Sequence, residues 1–256
     1  MGYPSDILST RAVIRRGDYA IIPPEGLVNN VVPGIEDCRV SILATPKLGA
    51  SFVMYIVTAQ PRTGGTSRPF AAEDGVEAFA YIIDGQGTLA VGDDERAATA
   101  GAYAFAPAGS GLRFMNTGDE PMRLLLYKQR YIPVAGHDAE AVFGNVNDIE
   151  YRDYDDMANV HVKDLLPTHI GFDMNFHILS FDPGGCHPFF ETHVQEHGMY
   201  ILEGEGAYFF GNDEWKLIKK DDFVWFGAYS LQGAYGVGRV PFTYIYSKDC
   251  NRDVGI

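Results

Sequence analysis

Cysteine is scarce in this chain. Three residues, Cys38, Cys186 and Cys250, are widely spaced and never form a CxxC pair. An odd, scattered set argues against a disulfide framework and a thiolate metal cluster, and it fits reduced thiols in a cytoplasmic protein. Positive charge is also short. Twenty Lys and Arg stand against 34 Asp and Glu, a net charge of −14, and basic residues gather no further than pairs such as Arg15–Arg16 and Lys219–Lys220. A nucleic-acid surface needs a basic face and an anionic bilayer attracts cations, so neither partner is expected. No apolar run approaches the roughly 20 residues of a membrane span. The N-terminus shows neither the basic nor the apolar region of a signal peptide, which adds to the cytoplasmic expectation. Helical periodicity is scarce as well, and its best candidate, around Asn147–Asp156, reads as linker. One absence is local: no histidine precedes His137.

What is present is mostly strand. Val53–Thr58, Phe79–Ile83, Phe176–Phe181, Tyr200–Leu202 and Phe242–Tyr246 are short β-branched or aromatic runs, many separated by Gly, Pro, Asn or Asp turns. That spacing predicts an all-β barrel or sandwich, and 256 residues at 46% hydrophobic content supply a substantial core.

The run from Glu191 to His197 makes the chemical claim. Glu191, His193 and His197 are separated by even intervals, so on one strand all three side chains would share a face. A carboxylate and two imidazoles converging there can hold a divalent cation. Gln195 shares their parity, whereas Glu196 alternates away from them.

The chain also repeats itself. Asp84-Gly85-Gln86-Gly87 matches Glu203-Gly204-Glu205-Gly206, and Gly101-Ala102-Tyr103-Ala104-Phe105 matches Asp221-Asp222-Phe223-Val224-Trp225, with the offset constant to within one residue. Thr58-Ala59-Gln60-Pro61 and Ser180-Phe181-Asp182-Pro183 form a further pair. Two related β-barrels follow: an N-terminal one with its extension over 1–136, a linker over 137–160, and a C-terminal one over 161–256.

These motifs resemble the cupin fold, specifically a bicupin. The usual first cupin motif runs Gly, five residues, His-x-His, three or four residues, Glu, six residues, Gly. Here Gly185, Glu191-x-His193, His197 and Gly204 keep that spacing, with Glu and His exchanged. The second motif is Gly, five residues, Pro-x-Gly, two residues, His, three residues, Asn. The first module reads Gly101, Pro107, Gly109, then Leu112 where the metal His belongs, then Asn116. In the second module Asp221, Gly227 and Tyr229 lead to Gln232 at that place, making its amide oxygen the fourth ligand candidate. The first barrel is therefore expected to bind no metal. Its Glu77 aligns with Glu196 rather than with a ligand, and Ala78 falls opposite His197.

A Glu191/His193/His197/Gln232 set resembles the (S)-ureidoglycine aminohydrolase family of bicupins. Thr45–Phe52, Gly171–Asn175, Glu191–Gly198 and Tyr246–Arg252 are also similar to that family, so the likeness spans nearly the whole chain. The resemblance implies two tandem jelly-roll barrels and a small-molecule substrate, ureidoglycine. It implies hydrolysis of that substrate to ureidoglycolate and ammonia in allantoin breakdown. It also implies one Mn²⁺ in the C-terminal barrel. Nitrogen and oxygen donors without sulfur suit Mn²⁺, with Fe²⁺, Co²⁺, Ni²⁺ or Zn²⁺ able to compete. Tyr244 and Lys248 alternate onto one face of the last strand. The resemblance gives them, with Tyr208 and Glu191, substrate-binding or catalytic roles, and leaves the general base unassigned. His177 and His187 read as structural histidines. Cupin barrels associate through strands, so a homo-oligomer is expected. Two other readings stay open: another bicupin metalloenzyme, such as a dioxygenase or isomerase, and a non-enzymatic small-molecule-binding bicupin.

Overall fold

A computed structural model describes residues 10–155, 157–211, 214–249 and 251–253; Cys250 and Asp156 lie outside the described residues. Among the described residues no helix is long and apolar enough to cross a membrane, and their helical content is two short 3-10 turns, Pro24–Gly26 and Val146–Asp148. The rest is antiparallel sheet and turn.

Two pairs of sheets make two jelly-roll barrels. The first pairs a six-stranded with a five-stranded sheet, and the second an eight-stranded with a three-stranded sheet. The duplicated turns are why the halves match. Gly85 and Gly204 both hold positive φ, 88° and 71°, at the same hairpin. A Cβ on Gly204 would lie 2.3 Å from the Pro241 carbonyl oxygen, so only glycine fits. Gly101 and its counterpart Asp221 likewise share positive φ.

The barrels exchange strands. Val13–Arg15 and Tyr19–Ile22, part of the N-terminal extension, join the eight-stranded sheet of the second barrel, where Tyr19 pairs with Phe226 and Ile22 with Phe223. Arg11 fastens the segment further by a paired hydrogen bond to the buried Asp222 carboxylate, at 2.6 and 2.8 Å. The 137–160 segment is divided. Val142–Asn145 pairs with Ala102–Ala106 of the first barrel, and Arg152–Tyr154 pairs with Met157–Asp164 of the second.

Three apolar clusters follow. One fills the first barrel and includes Leu112, Val57, Ala80 and Phe114. One fills the second and includes Leu179, Met199, Tyr208 and Tyr244. The third is the seam between them, where Phe79, Phe52 and Tyr127 meet Phe176, Ile178 and Ile245. Central strands are therefore buried on both faces, so they read as continuous apolar runs rather than as alternation. Leu112, at the second-motif metal position, is fully buried among hydrophobic neighbours. Asn116 spends its amide on the Ala59 and Glu120 carbonyls.

The seam also buries Glu77. Its Oε1 accepts from Gln129 at 2.8 Å, while Oε2 has no partner. Burial first, then the neighbouring Asp173 carboxylate, pushes its carboxyl up to about 9. Between the ordinary value of 4.5 and that upper limit, the folded chain keeps a proton that the unfolded chain releases. Stability is therefore lost as pH rises through this window. Glu77→Gln keeps the acceptor and removes the cost of holding a proton, so it is expected to raise stability at pH 8 by on the order of 1–3 kcal/mol. Thermal unfolding should show the gain shrinking toward zero at pH 4.5; an equal gain at both pH values would contradict the assignment.

Candidate active site

Strand alternation aims most of the site. Along Phe242–Asp249, Tyr244, Tyr246 and Lys248 point into the second barrel while Ile245 turns to the seam. Tyr208 enters from the opposing sheet, on Glu205–Phe210, whose neighbour Gln232–Val237 starts at the Gln232 side chain.

The Glu191–His197 run is not one strand. Glu191 forms an isolated antiparallel bridge with Gln232, each amide donating to the other's carbonyl at 2.9 Å. The chain then bends, with the His193 carbonyl accepting from Tyr229 N at 2.7 Å, and the strand begins only at His197. The side chains still meet. His193 Nε2 and His197 Nε2 are 3.2 Å apart, and Gln232 Nε2 lies 3.0 Å from His193 Nε2. Glu191 lines the same cavity, with Oε1 3.9 Å from His187 Nε2. Glu196 faces the seam, where it accepts from Trp225 Nε1 and from Ser51 N. Gln195 is not among the residues that line the cavity, and uses its carbonyl to accept from His193 Nδ1.

The tautomers are set by the backbone. His193 Nδ1 and His197 Nδ1 sit 2.9 and 3.0 Å from the Gln195 and Ser247 carbonyls, so both Nδ1 atoms carry the hydrogens. Both Nε2 atoms then present lone pairs to each other, which repel unless a cation lies between them. Burial, with Lys248 adding, pushes both imidazoles down, so both rings are neutral near pH 7. An octahedral ion with bonds of about 2.1 Å separates neighbouring donors by about 3.0 Å, which matches the observed contacts. Turning the Gln232 amide by 180° presents Oε1 to that point and lets Nε2 donate to the Tyr208 hydroxyl, 3.2 Å away. Among the described residues no three His, Cys, Asp or Glu side chains form a ready metal cluster. The third group at the imidazoles is the amide, and Glu191 needs a side-chain rotation to complete the set. With that rotation, His193, His197, Gln232 and Glu191 fit a divalent ion.

The surroundings are polar and tight. The free space at the centre is about 20 Å³, room for one or two water-sized groups. Burial raises the Glu191 carboxyl, opposed by His193 and Lys248. Burial also holds the Tyr208 and Tyr244 phenols far above their ordinary range, so both remain hydrogen-bond donors. Among the described residues no carboxylate pairs with Lys248, which leaves its ammonium available to an anion.

Among the lining residues that are not site candidates from sequence are Tyr154 and His187, the latter read there as a structural histidine. His187 is buried; Nδ1 accepts from Ala234 N at 3.1 Å, so Nε2 carries the hydrogen toward Glu191, and burial pushes the ring down to about 4. Its closeness to the motif residue Gly185 is the one signal that could have marked it. Tyr154 comes from the segment read as linker, and nothing local marks it. His177 is held by Asp164 at 2.7 Å and stacks on Tyr246.

Residues 57–127 match the cupin domain family model, so the match falls on the first barrel rather than on the one with the exchanged ligands. The chain is 49% identical to (S)-ureidoglycine aminohydrolase of Escherichia coli (strain K12), covering 100% of this chain and 97% of that protein. It is 27% identical to (S)-ureidoglycine aminohydrolase of Arabidopsis thaliana, covering 95% and 79%. The crystal structure of protein Ylba from E. coli superposes with a TM-score of 0.88 at 46% identity, covering all of both chains. Likeness at this level, along the full length and through both barrels, makes the chain a member of the (S)-ureidoglycine aminohydrolase family of cupin proteins.

Proposed function

We propose that the chain hydrolyses (S)-ureidoglycine to (S)-ureidoglycolate and ammonia in the second barrel, a step of allantoin catabolism, with Mn²⁺ held by Glu191, His193, His197 and Gln232. The observation that carries the metal reading is the convergence of two imidazole Nε2 atoms, 3.2 Å apart, with the Gln232 amide 3.0 Å from one of them, and full-length identity to named aminohydrolases carries the substrate. When bound, a divalent ion supplies Lewis acidity to the substrate groups it touches.

The chain's own residues do the rest. Water adds its oxygen to the α-carbon as the amine leaves with a proton, so one C–O bond forms, one C–N bond breaks, and nothing is oxidised. Lys248 pairs with the substrate carboxylate. Tyr208 and Tyr244 donate to the amine side and the ureido oxygen. Glu191, which needs a side-chain rotation to join the donor set, is placed when turned away from it to take a proton from water and return it to the departing nitrogen. A dioxygenase or isomerase reading expects an imidazole at the second-motif position, where this chain carries Gln232.

A Lys248→Met variant tests the carboxylate contact. A charge-assisted hydrogen bond of about 1.5–3 kcal/mol should be lost as a 10- to 100-fold fall in kcat/KM, carried mainly by KM, with metal content unchanged. An unchanged KM would remove Lys248 from this role.

We infer also that copies of the chain associate. Phe190, Phe209, Trp215 and Tyr235 form a contiguous aromatic cluster on the three-stranded sheet, with Trp215, Tyr235 and nearby Leu217 exposed. Glu214–Lys219 leaves that sheet with an open edge. Both are features that an interface covers. A solution mass equal to the 28.2 kDa of one chain would contradict the inference.

A further inference from the structure

A second chamber adjoins the tight space between the candidate ligands. The inner space, about 20 Å³, has room for one or two water-sized groups. The outer chamber, about 100 Å³, has room for about three more. Tyr154, His187 and Glu191 line both, while Met157, Pro188 and Phe189 give the outer chamber an apolar wall. Phe189 is well exposed, so the chamber meets solvent there. Ureidoglycine carries an amine, a carboxylate and a ureido group on one carbon, and the inner space cannot take all of them. With the carboxylate on Lys248, the planar ureido arm is the part left to reach into the outer chamber.

A fixed donor stands where the two spaces meet. The segment from Gly184 to Glu191 runs along Gln232–Val237. It is held by Gly184 N donating to the Gly236 carbonyl at 2.9 Å, His187 N to the Ala234 carbonyl at 3.0 Å, and the Glu191–Gln232 bridge. Ala234 N returns a bond to His187 Nδ1 at 3.1 Å, and the ring meets Phe181 edge-on with centroids 5.0 Å apart. Ring orientation and tautomer are both set, with the hydrogen on Nε2. Glu191 Oε1, 3.9 Å away, is too distant to accept it. Among the described residues no other acceptor takes this N–H, and burial makes an unmatched donor costly.

We propose that His187 is a substrate-binding residue for the ureido arm: its Nε2–H donates to the ureido oxygen while the arm lies in the outer chamber. The proposal rests on the ureidoglycine reading and deepens it, naming the residue that tells an acceptor from a donor on the arm. The ureido oxygen has two lone pairs, so it can accept from His187 and from a tyrosine hydroxyl together. Tyr154 and Asp155, also in the chamber's wall, supply acceptors for the arm's terminal NH₂. An arm with a nitrogen donor in place of the oxygen sets N–H against N–H, and a polar site rejects such a mismatch.

The test is the affinity of the purified, Mn²⁺-loaded chain for two stable analogues, by titration calorimetry. Hydantoate keeps the ureido arm and the carboxylate and lacks the amine. Guanidinoacetate has the same shape, with a nitrogen donor in place of the ureido oxygen. The wild type should prefer hydantoate by about tenfold or more. His187→Asn keeps an acceptor for Ala234 N and removes the Nε2–H. Hydantoate should then bind about tenfold more weakly, the worth of one hydrogen bond, with guanidinoacetate affinity and Mn²⁺ content unchanged. KM for ureidoglycine should rise by a similar factor. His187→Gln returns an amide N–H near the Nε2 position and should recover most of the loss. His187→Leu gives the same readout if His187→Asn does not fold. Wild-type hydantoate affinity in a folded variant without the N–H overturns the proposal. So does an equal weakening for both analogues, the mark of a merely structural role. A wild type that releases ammonia beside such results loses only this proposal; one that releases none and binds neither analogue loses the ureidoglycine reading itself.

Discussion

Replacing His193 by alanine is expected to remove both the bound metal and the activity, with kcat/KM falling by about 10³ or more. The magnitude follows from the several kcal/mol of charge stabilisation that a metal supplies, at one factor of ten per 1.36 kcal/mol. His193 is the right residue because it touches two other candidate ligands, His197 at 3.2 Å and Gln232 at 3.0 Å. Removing it breaks both of the contacts seen between candidate ligand side chains. Its ring is only partly buried, so the fold should survive, and thermal unfolding of the metal-free proteins should differ little. Metal analysis and ammonia release are the measurements. Retained metal with lost activity would make His193 a proton carrier rather than a ligand; retained activity would place the site elsewhere.

The largest stability effect is expected at the seam. Phe176 is almost fully buried and stacks on Phe79 with centroids 3.8 Å apart and planes 8° apart, while meeting Tyr127 edge-on at 5.1 Å. One ring thus joins strands of both barrels. Phe176→Ala should cost about 3–5 kcal/mol through lost transfer energy and an unfilled cavity. At about 2–4 °C per kcal/mol for a chain of this size, Tm should fall by roughly 6–20 °C. Because the barrels also exchange strands, calorimetry of the wild type should show one transition. Two separated transitions, or a cost under about 1 kcal/mol, would contradict a shared core.

The duplication was legible because its marks are local. Positive φ at Gly85 and Gly204, and at Gly101 and Asp221, is turn chemistry written into single residues. The exchange of strands was not legible. Tyr19–Ile22 has the composition of any buried strand, and nothing in its four residues tells Phe223–Phe226 from a partner in its own barrel. Long-range pairing leaves no local trace. The candidate site divides the same way. Alternation along the last strand placed Tyr244 and Lys248 together, as a regular strand must. The even spacing from Glu191 to His197 assumed a strand where the chain bends, and the groups converge through the Glu191–Gln232 bridge and the turn held by Tyr229 instead. Tyr154 reaches the site only through tertiary packing, which no window of sequence contains.

Ammonia release tests the central claim most directly. Purified chain loaded with Mn²⁺ would be given ureidoglycine freshly generated from allantoate, beside a control that measures the substrate's own decay. The account predicts release faster than the control, abolished by chelation and restored by Mn²⁺. Release no faster than spontaneous decay from the fully metal-loaded chain would contradict it.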